Sequence, residues 1–324
     1  MDQLMQLELA INIFFQNLGA WLKPVAVGLT FLGTESFFIL ALPAIYWCID
    51  SAIGFRIGVM MVATNSVNAY VKMLFHSPRP FWVDSRVKAY SIETSFGIPS
   101  GHSQTAASLW GLAAVKFKKN WITIISVIAV LLIGLSRIYL GMHFTRDVLS
   151  GWFIGGLMIV LFLLLEKPVS KWIVNKSLPF QILLTLLISV IIIALGYATA
   201  SVSKSWELPA EWIRQSLASS GVAPDPFNLE GCYTISGVWF GFVSGYAWWL
   251  KKKGKMMVSG SIGNRITRYL IGLTGLLVLY LGLKLILPEN PIWLGLTLRF
   301  IRYSIIGLWV SAFAPLFFKK LNLN

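Results

Sequence analysis

The sequence predicts an all-α fold: a polytopic transmembrane helix bundle of about nine spans. Three observations lead there. Only 12% of the 324 residues are charged and 56% are hydrophobic, where a soluble domain carries about 25% charged residues. The apolar residues run on in stretches such as Val25–Ile49 and Trp121–Ile133, on the scale of the roughly 20 residues a helix needs to cross a bilayer. The basic residues gather in alternate links between these stretches, as positive charge does on the cytoplasmic side of a multi-pass chain. Soluble, disordered, collagenous and disulfide-rich classes are thereby excluded. The two cysteines, Cys48 and Cys232, form no CxxC pattern and predict neither a metal site nor a disulfide framework.

The elements follow in order. Residues 1–24 open without a basic start or a small-residue cleavage site, so no signal peptide is expected. Leu4, Leu7, Ile11, Phe14, Phe15, Leu18, Trp21 and Leu22 recur there at helical spacing, with Asp2, Gln6, Gln16 and Asn17 among them. That pattern reads as an interfacial amphipathic helix, or equally as a peripheral helix packed on the bundle. Nine spans are expected at about 25–49, 52–75, 101–118, 121–140, 146–166, 179–200, 231–250, 265–287 and 297–317. The third is the least apolar, because Ser103, Gln104, Thr105 and Ser108 occupy its first half. Residues 25–200 read as one core of spans, 201–230 as an extracytoplasmic link, and 231–324 as additional spans of unassigned role. Glu35 falls in the middle of the first span, where it would pair with a cation or face Asn65 or Asn68.

The charges orient this scheme. One set of links holds 15 basic residues, from Arg56 through Lys116, Lys118 and Lys119 to Lys319 and Lys320, against two acids, Asp50 and Glu166. The other set holds Glu207, Glu211, Asp225, Glu230 and Glu289. The lysine-rich links therefore belong in the cytoplasm, and 76–100, 141–145 and 201–230 face outward. Most of the net charge of +14 is then a topology signal and no sign of nucleic acid. A multi-pass protein of the cell inner (plasma) membrane is the expected setting.

Three pieces carry chemistry, and two of the three histidines lie in them at positions suited to a reaction. Lys72 and Arg79 stand either side of a helix end stopped by Pro78 and Pro80. They form a pair of fixed cations, or two snorkelling interface residues. Pro99-Ser100-Gly101-His102 opens the third span. A helix start offers free N–H groups to a phosphate, Gly101 lets a ligand approach the backbone, and Ser100 is a further hydroxyl or only an N-cap. His102 stands where it can give a proton to a leaving oxygen. In Ser136-Arg137-x5-His143-x3-Asp147, the histidine and the acid are i, i+4. A carboxylate on one imidazole nitrogen leaves the other as a nucleophile, and Arg137 adds a planar fork for phosphate oxygens. The bland reading is a helix-surface His–Asp pair beside an unrelated arginine. Together the pieces supply charge stabilisation, an in-line nucleophile and an acid, which is what phosphoryl transfer needs. No carboxylate cluster suited to Mg²⁺ accompanies them, so neither metal nor other cofactor is expected.

The pieces Lys-x6-Arg-Pro, Pro-Ser-Gly-His and Ser-Arg-x5-His-x3-Asp resemble, in order and spacing, the three-part signature of the type 2 phosphatidic acid phosphatase superfamily, which also contains vanadium haloperoxidases. The resemblance covers about residues 50–165. It implies a six-helix phosphatase core in which His143 attacks phosphorus, Asp147 orients it, and His102 protonates the leaving alkoxide and later helps activate water. Lys72, Arg79, Ser100, Gly101 and Arg137 would hold the phosphate. The run Leu-Ser-Arg-Ile-Tyr-Leu-Gly-Met-His is similar to the sphingosine-phosphate phosphatase branch, although Gly101 stands where that branch tends to have Thr.

The expected activity is a metal-independent, phosphohistidine-dependent lipid phosphatase. Its substrate would be phosphatidate, phosphatidylglycerol phosphate, a sphingoid-base phosphate or a polyprenyl pyrophosphate. The bilayer and its lipid phosphates are the expected partners, and a homodimer is compatible with the extra spans, which otherwise read as a lipid access groove. A lipid phosphotransferase, a haloperoxidase and a non-enzymatic transporter or scaffold are the alternatives. His76 reads as a link residue or a substrate contact, and Trp206 and Trp212 as a cover for the site or an interfacial belt.

Overall fold

A computed structural model describes residues 3–203, 205–256 and 258–323; Asp2, counted above with the first helix, lies outside them. The described residues form α1 (Gln3–Asn17), α2 (Leu22–Phe31), α3 (Glu35–Cys48), α4 (Ser51–Phe75), α5 (Pro80–Val83), α6 (Gly101–Phe117), α7 (Asn120–Tyr139) and α8 (Thr145–Val174). They continue with α9 (Leu178–Val202), α10 (Ala210–Ser220), α11 (Glu230–Lys253), α12 (Ile262–Ile286), α13 (Ile292–Leu308) and α14 (Ala314–Lys320). A π turn over Trp309–Phe313 joins the last two.

Among the described residues five helices are long and apolar enough to cross a membrane, α7, α8, α9, α12 and the continuous run Ile292–Lys320. They number six if the bent pair α2 and α3 is one span. The other expected spans coincide with α4, α6 and α11, which are more polar or shorter. α6 has 17 residues with Ser103, Gln104, Thr105 and Ser108 in its first half, α4 carries Arg56, Asn65, Asn68 and Lys72, and α11 is rich in glycine, serine and tyrosine. The expectation for Glu35 is corrected. Gly33 and Thr34 break the first span, the Thr34 hydroxyl accepts the Phe37 N–H at 3.1 Å as an N-cap, and Glu35 sits exposed in the first turn of α3. A carboxylate there meets the positive end of the helix dipole.

The chain divides into two compact units. One comprises residues 1–38, 67–161 and 197–228. Its core joins Leu9 of α1 and Ala26 of α2 to Phe81, Trp82, Val87 and Phe96 of the 76–100 link and to Tyr139, Leu140, Met142 and Phe144 around the end of α7. α10 packs on α5, with Trp212 set 6.2 Å from Trp82. The N-terminal halves of α6 and α8 meet through glycine. Asp147, Gly151 and Gly155 recur every four residues, so they share one face of α8. A Cβ at Gly151 would lie 2.8 Å from the Ser100 carbonyl oxygen, and one at Gly155 would lie 2.7 Å from that of Gln104. Small residues at this spacing let two helix backbones approach in a bilayer, and this pair brings Ser100 beside Asp147.

The other unit comprises residues 39–66, 162–196 and 229–324. Its core holds Tyr46, Trp47, Phe242, Leu276, Tyr303, Ile306, Val310 and Phe318. Trp47 Nε1 donates to the Val310 carbonyl at 2.8 Å. α11 carries its own glycine stripe, Gly237, Gly241 and Gly245, each with α13 or the π turn inside Cβ distance. Arg56 pairs with Glu166.

Glycines of α8 provide an internal control. Gly155→Ala is expected to lower the thermal unfolding midpoint in detergent, because its methyl meets backbone, by an amount matching about 1–3 kcal/mol for overpacking. Gly156→Ala meets nothing within 4 Å, and it is expected to leave the midpoint unchanged or raise it, since alanine is about 1 kcal/mol the better helix former. Equal midpoints for the two variants would contradict the close approach of α6 and α8.

Candidate active site

Every site residue named from the sequence lies in the first unit, and most converge on one point. α8 begins at Thr145, so His143 precedes the helix by two residues and Asp147 stands in its first turn. Phe144 N–H donates to Asp147 Oδ2 at 2.9 Å, and His143 Nδ1 lies 3.2 Å from the same oxygen. His143 and Asp147 are 1% and 0% exposed. The other ring nitrogen, Nε2, lies 3.4 Å from Arg79 Nη1. A guanidinium only donates, so Nε2 is the acceptor and Nδ1 carries the proton that Asp147 receives. Burial first, and then the charges of Arg79, Lys72 and Arg137, push the His143 imidazole well below its ordinary pKa. The ring is therefore neutral, with its free lone pair at the arginine side.

The cations are held by backbone carbonyls. Pro78 and Pro80 flank Arg79 in extended backbone, from which its Nε donates to Ser95 O at 2.6 Å and its Nη1 to Met142 O at 2.9 Å. Its Nη2 reaches Ser95 Oγ at 3.0 Å and Phe96 O at 3.3 Å. Lys72, near the end of α4, donates to Phe96 O and, at 3.2 Å, to Gly97 O. Gly97 is required here: a Cβ would lie 2.6 Å from the Pro78 carbonyl oxygen and 2.9 Å from Asp147 Oδ2. Arg137, in the last turn of α7, donates from Nη1 to Thr30 Oγ1 at 3.1 Å, while its buried Nε has no hydrogen-bond partner among the described residues.

The Pro-Ser-Gly-His piece lies beside them. Ser100 is the N-cap of α6, its Oγ accepting from Ser103 N at 3.4 Å and from Ser103 Oγ at 2.9 Å. Its own N–H donates to the Asp147 carbonyl at 2.8 Å. Gly101 fits against Asn68, whose Oδ1 would lie 3.1 Å from a Cβ. His102, in the first turn of α6, is half-buried. It is close enough to Glu93 and Arg137 for their charges to act on it.

Glu93 escaped the reading of the sequence. Its Oε1 accepts from Arg137 Nη2 at 2.9 Å and its Oε2 from Arg79 Nη2 at 3.5 Å, so one carboxylate spans both guanidiniums. Burial alone would raise its pKa, but Arg79, Arg137, His102 and Lys72 outweigh that and hold it at about 2. A signal existed: three cations converging on a single acid need another counter-ion, and the 76–100 link offers only Asp84 and Glu93. Asp84 is committed to its neighbour Arg86. His76 has a left-handed backbone, φ 47°, and its ring stacks on Trp206 at 4.7 Å. Trp206 also meets Phe96 edge-on at 5.3 Å. The aromatic residues of the 201–228 link thus back the Phe96 wall that holds Lys72 and Arg79.

Comparison with known proteins relates the segments that carry this site to a family. Residues 53–171 match the family model described as PAP2 superfamily, and residues 233–324 match one described as PAP2 superfamily phosphatase, transmembrane extension. Phosphatidylglycerophosphatase B from Bacillus subtilis (strain 168) is 30% identical over 166 residues, covering 47% of this chain and 79% of its own. Glucose-6-phosphatase 3 from Bos taurus is 29% identical over 206 residues, 56% of each chain. Sphingosine-1-phosphate phosphatase 2 from Homo sapiens is 29% identical over 136 residues, 40% of this chain and 34% of its own. The chain spans about half the length of the glucose-6-phosphatases it matches.

A phosphate seated on Arg79 and Arg137 would compete with the Glu93 carboxylate for the same donors. Glu93→Gln is therefore expected to tighten inhibition by inorganic phosphate about 3- to 10-fold, a change of up to about 1.4 kcal/mol. Unchanged or weaker inhibition would contradict that competition.

Proposed function

The chain belongs to the PAP2 superfamily, and on that premise we propose that it is an integral membrane phosphatase acting on a lipid phosphate monoester or pyrophosphate through a phosphohistidine at His143. The observation that carries this reading is the setting of the His143 ring: Nδ1 lies 3.2 Å from Asp147 Oδ2 and Nε2 3.4 Å from Arg79 Nη1, a geometry that assigns the proton to Nδ1 and the lone pair to Nε2. Such a nitrogen is a nucleophile already in its reactive form.

The chemistry follows from the neighbours. The substrate's terminal phosphate takes the guanidinium donors now bound to Glu93, together with Lys72 and the N–H groups at the start of α6. His143 Nε2 attacks phosphorus; the N–P bond forms as the P–O bond to the lipid breaks. His102 gives its proton to the departing oxygen. The imidazolium of the phosphohistidine is balanced by Asp147, whose Oδ2 keeps the Nδ1 proton in place. His102 then takes a proton from water, which attacks phosphorus, frees His143 and releases inorganic phosphate. Arg79, Arg137 and Lys72 supply charge stabilisation throughout, so no metal enters the scheme.

The protein is multi-pass, and an apolar tail lying among its helices suits a lipid substrate. The name of phosphatidylglycerophosphatase B favours a glycerolipid phosphate. The name of glucose-6-phosphatase 3 favours a second reading, a water-soluble sugar phosphate. The distribution of lysine supports a site on the extracytoplasmic side, and the plasma membrane is the setting proposed for it.

Phosphate release with EDTA present, from phosphatidylglycerol phosphate, phosphatidate, sphingosine 1-phosphate, undecaprenyl pyrophosphate and glucose 6-phosphate, tests the proposal. A lipid is expected to be turned over best. His143→Ala is expected to remove at least about 10⁴-fold of the rate, the order seen when a nucleophile is deleted, and His102→Ala about 10²- to 10⁴-fold. Activity that requires Mg²⁺, or survives in His143→Ala, would overturn the mechanism; preference for glucose 6-phosphate would overturn the substrate class.

A further inference from the structure

α1 lies upstream of the residues that match the PAP2 superfamily model, and beside its core residue Leu9 it buries polar side chains. Leu4, Leu7 and Phe14 are 53%, 60% and 62% exposed, whereas Glu8 is 3% and Asn12 0% exposed. Glu8, Asn12 and Gln16 recur every four residues and form one polar stripe. Burying a carboxylate and an amide is unfavourable unless their hydrogen bonds are made; the stripe makes several, although Asn12 Oδ1 has no partner among the described residues.

All three reach the segment that carries Arg137, His143 and Asp147. Asn12 Nδ2 donates to Ile138 O at 2.8 Å and to His143 O at 3.1 Å. It thereby ties the end of α7 to the main chain of the proposed nucleophile. Glu8 Oε1 accepts from Arg146 N at 2.8 Å, and its Oε2 lies 3.3 Å from Arg146 Nε. On the other flank Gln16 Nε2 donates to Tyr139 O at 3.1 Å and to Lys88 O at 2.8 Å, and its Oε1 accepts from Lys88 N at 3.0 Å. The Tyr139 hydroxyl closes the row by donating to Gly19 O at 2.8 Å. Residues 140–144 belong to no helix, so their path depends on such anchors. Gly141 turns the chain there at φ 73°, and a Cβ on it would meet Lys88 O and Gln16 Nε2.

We infer that α1 is part of the catalytic apparatus, with Asn12 a positioning residue that fixes the His143 main chain and hence the line of attack of Nε2, while Glu8 and Gln16 clamp the two flanks of the same loop. The inference rests on the phosphohistidine reading above. Asn12 touches no substrate; it acts through the backbone of residue 143. Reacting atoms held about 1 Å out of line lose on the order of 10²-fold in rate, and supports of this kind act on turnover without altering the groups that bind phosphate.

The test uses the full chain in lipid nanodiscs, with p-nitrophenyl phosphate and phosphatidate as substrates and orthovanadate as a phosphate analogue that counts competent sites. For Asn12→Ala, kcat per vanadate-binding site is expected to fall about 10²-fold, with KM and the vanadate Kd within about 3-fold of wild type, the cations being untouched. A kcat per site within about 3-fold of wild type would overturn the inference. So would a vanadate affinity that falls in step with kcat, since that marks general collapse of the site. Gln16→Ala, at the accessible end of the stripe, keeps the test decisive if Asn12→Ala does not fold: kcat per site is expected to drop about 3- to 10-fold, and a wild-type value overturns the clamp. His143→Ala separates the two levels. If it is inactive while Asn12→Ala matches wild type, only the role of α1 fails; if it stays active, the phosphohistidine reading fails and this role with it.

Discussion

Two guanidiniums, each 1% exposed, have to be kept charged out of water. Stripping a cation of solvent is expensive unless its donors find acceptors, and the first unit supplies them to most of these donors, Arg137 Nε being the exception among the described residues. The carbonyls of Ser95, Phe96 and Met142 turn inward onto Arg79. The Thr30 hydroxyl comes from α2 to Arg137. Glu93 spans the pair. The proline-rich 76–100 link is the kind of chain that can do this, because its backbone is not consumed by its own helix.

The same requirement sets what the site can bind. Lys72, Arg79 and Arg137 against Glu93 and Asp147 leave a net positive pocket, and a phosphate brings charge of the sign that the pocket lacks. In the proposed mechanism Glu93 holds the place of that anion. Asp147 is spared from this exchange by its own partners, Phe144 N–H and His143. It therefore keeps the His143 tautomer whatever occupies the arginines. One carboxylate is tied to His143, and in the proposed mechanism the other gives up the arginines when substrate arrives. The α6–α8 glycine contact keeps these two functions side by side, since it sets Ser100 N–H on the Asp147 carbonyl.

How much of this was legible in the sequence follows from distance along the chain. Lys72 with Arg79, Ser100 with Gly101 and His102, and Arg137 with His143 and Asp147 each lie within a short segment, so local spacing exposes them. The helices were legible too, because apolar runs persist over whole spans; the bend at Gly33 and Thr34 was not, since a glycine and a threonine inside an apolar run are common in membrane helices. Glu93 is separated from Arg137 by 44 residues and sits in no periodic pattern. Asn12 meets residues 126 and 131 positions away, and its helix reads as ordinarily amphipathic because periodicity gives the stripes and not which one is buried. α10 hid in a link whose tryptophans read mainly as an interfacial belt. In each case the missing information was a tertiary hydrogen bond or ring contact.

The central claim is that His143 Nε2 becomes bonded to phosphorus during turnover. Rapid mixing of the protein with a lipid phosphate radiolabelled at the terminal phosphate, quenched in alkali and followed by peptide mapping, measures it directly. The account predicts a base-stable, acid-labile phosphate on the peptide containing His143, formed at least as fast as steady-state turnover and absent from His143→Ala. Turnover with no protein-bound label, or with label on any other residue, would contradict it.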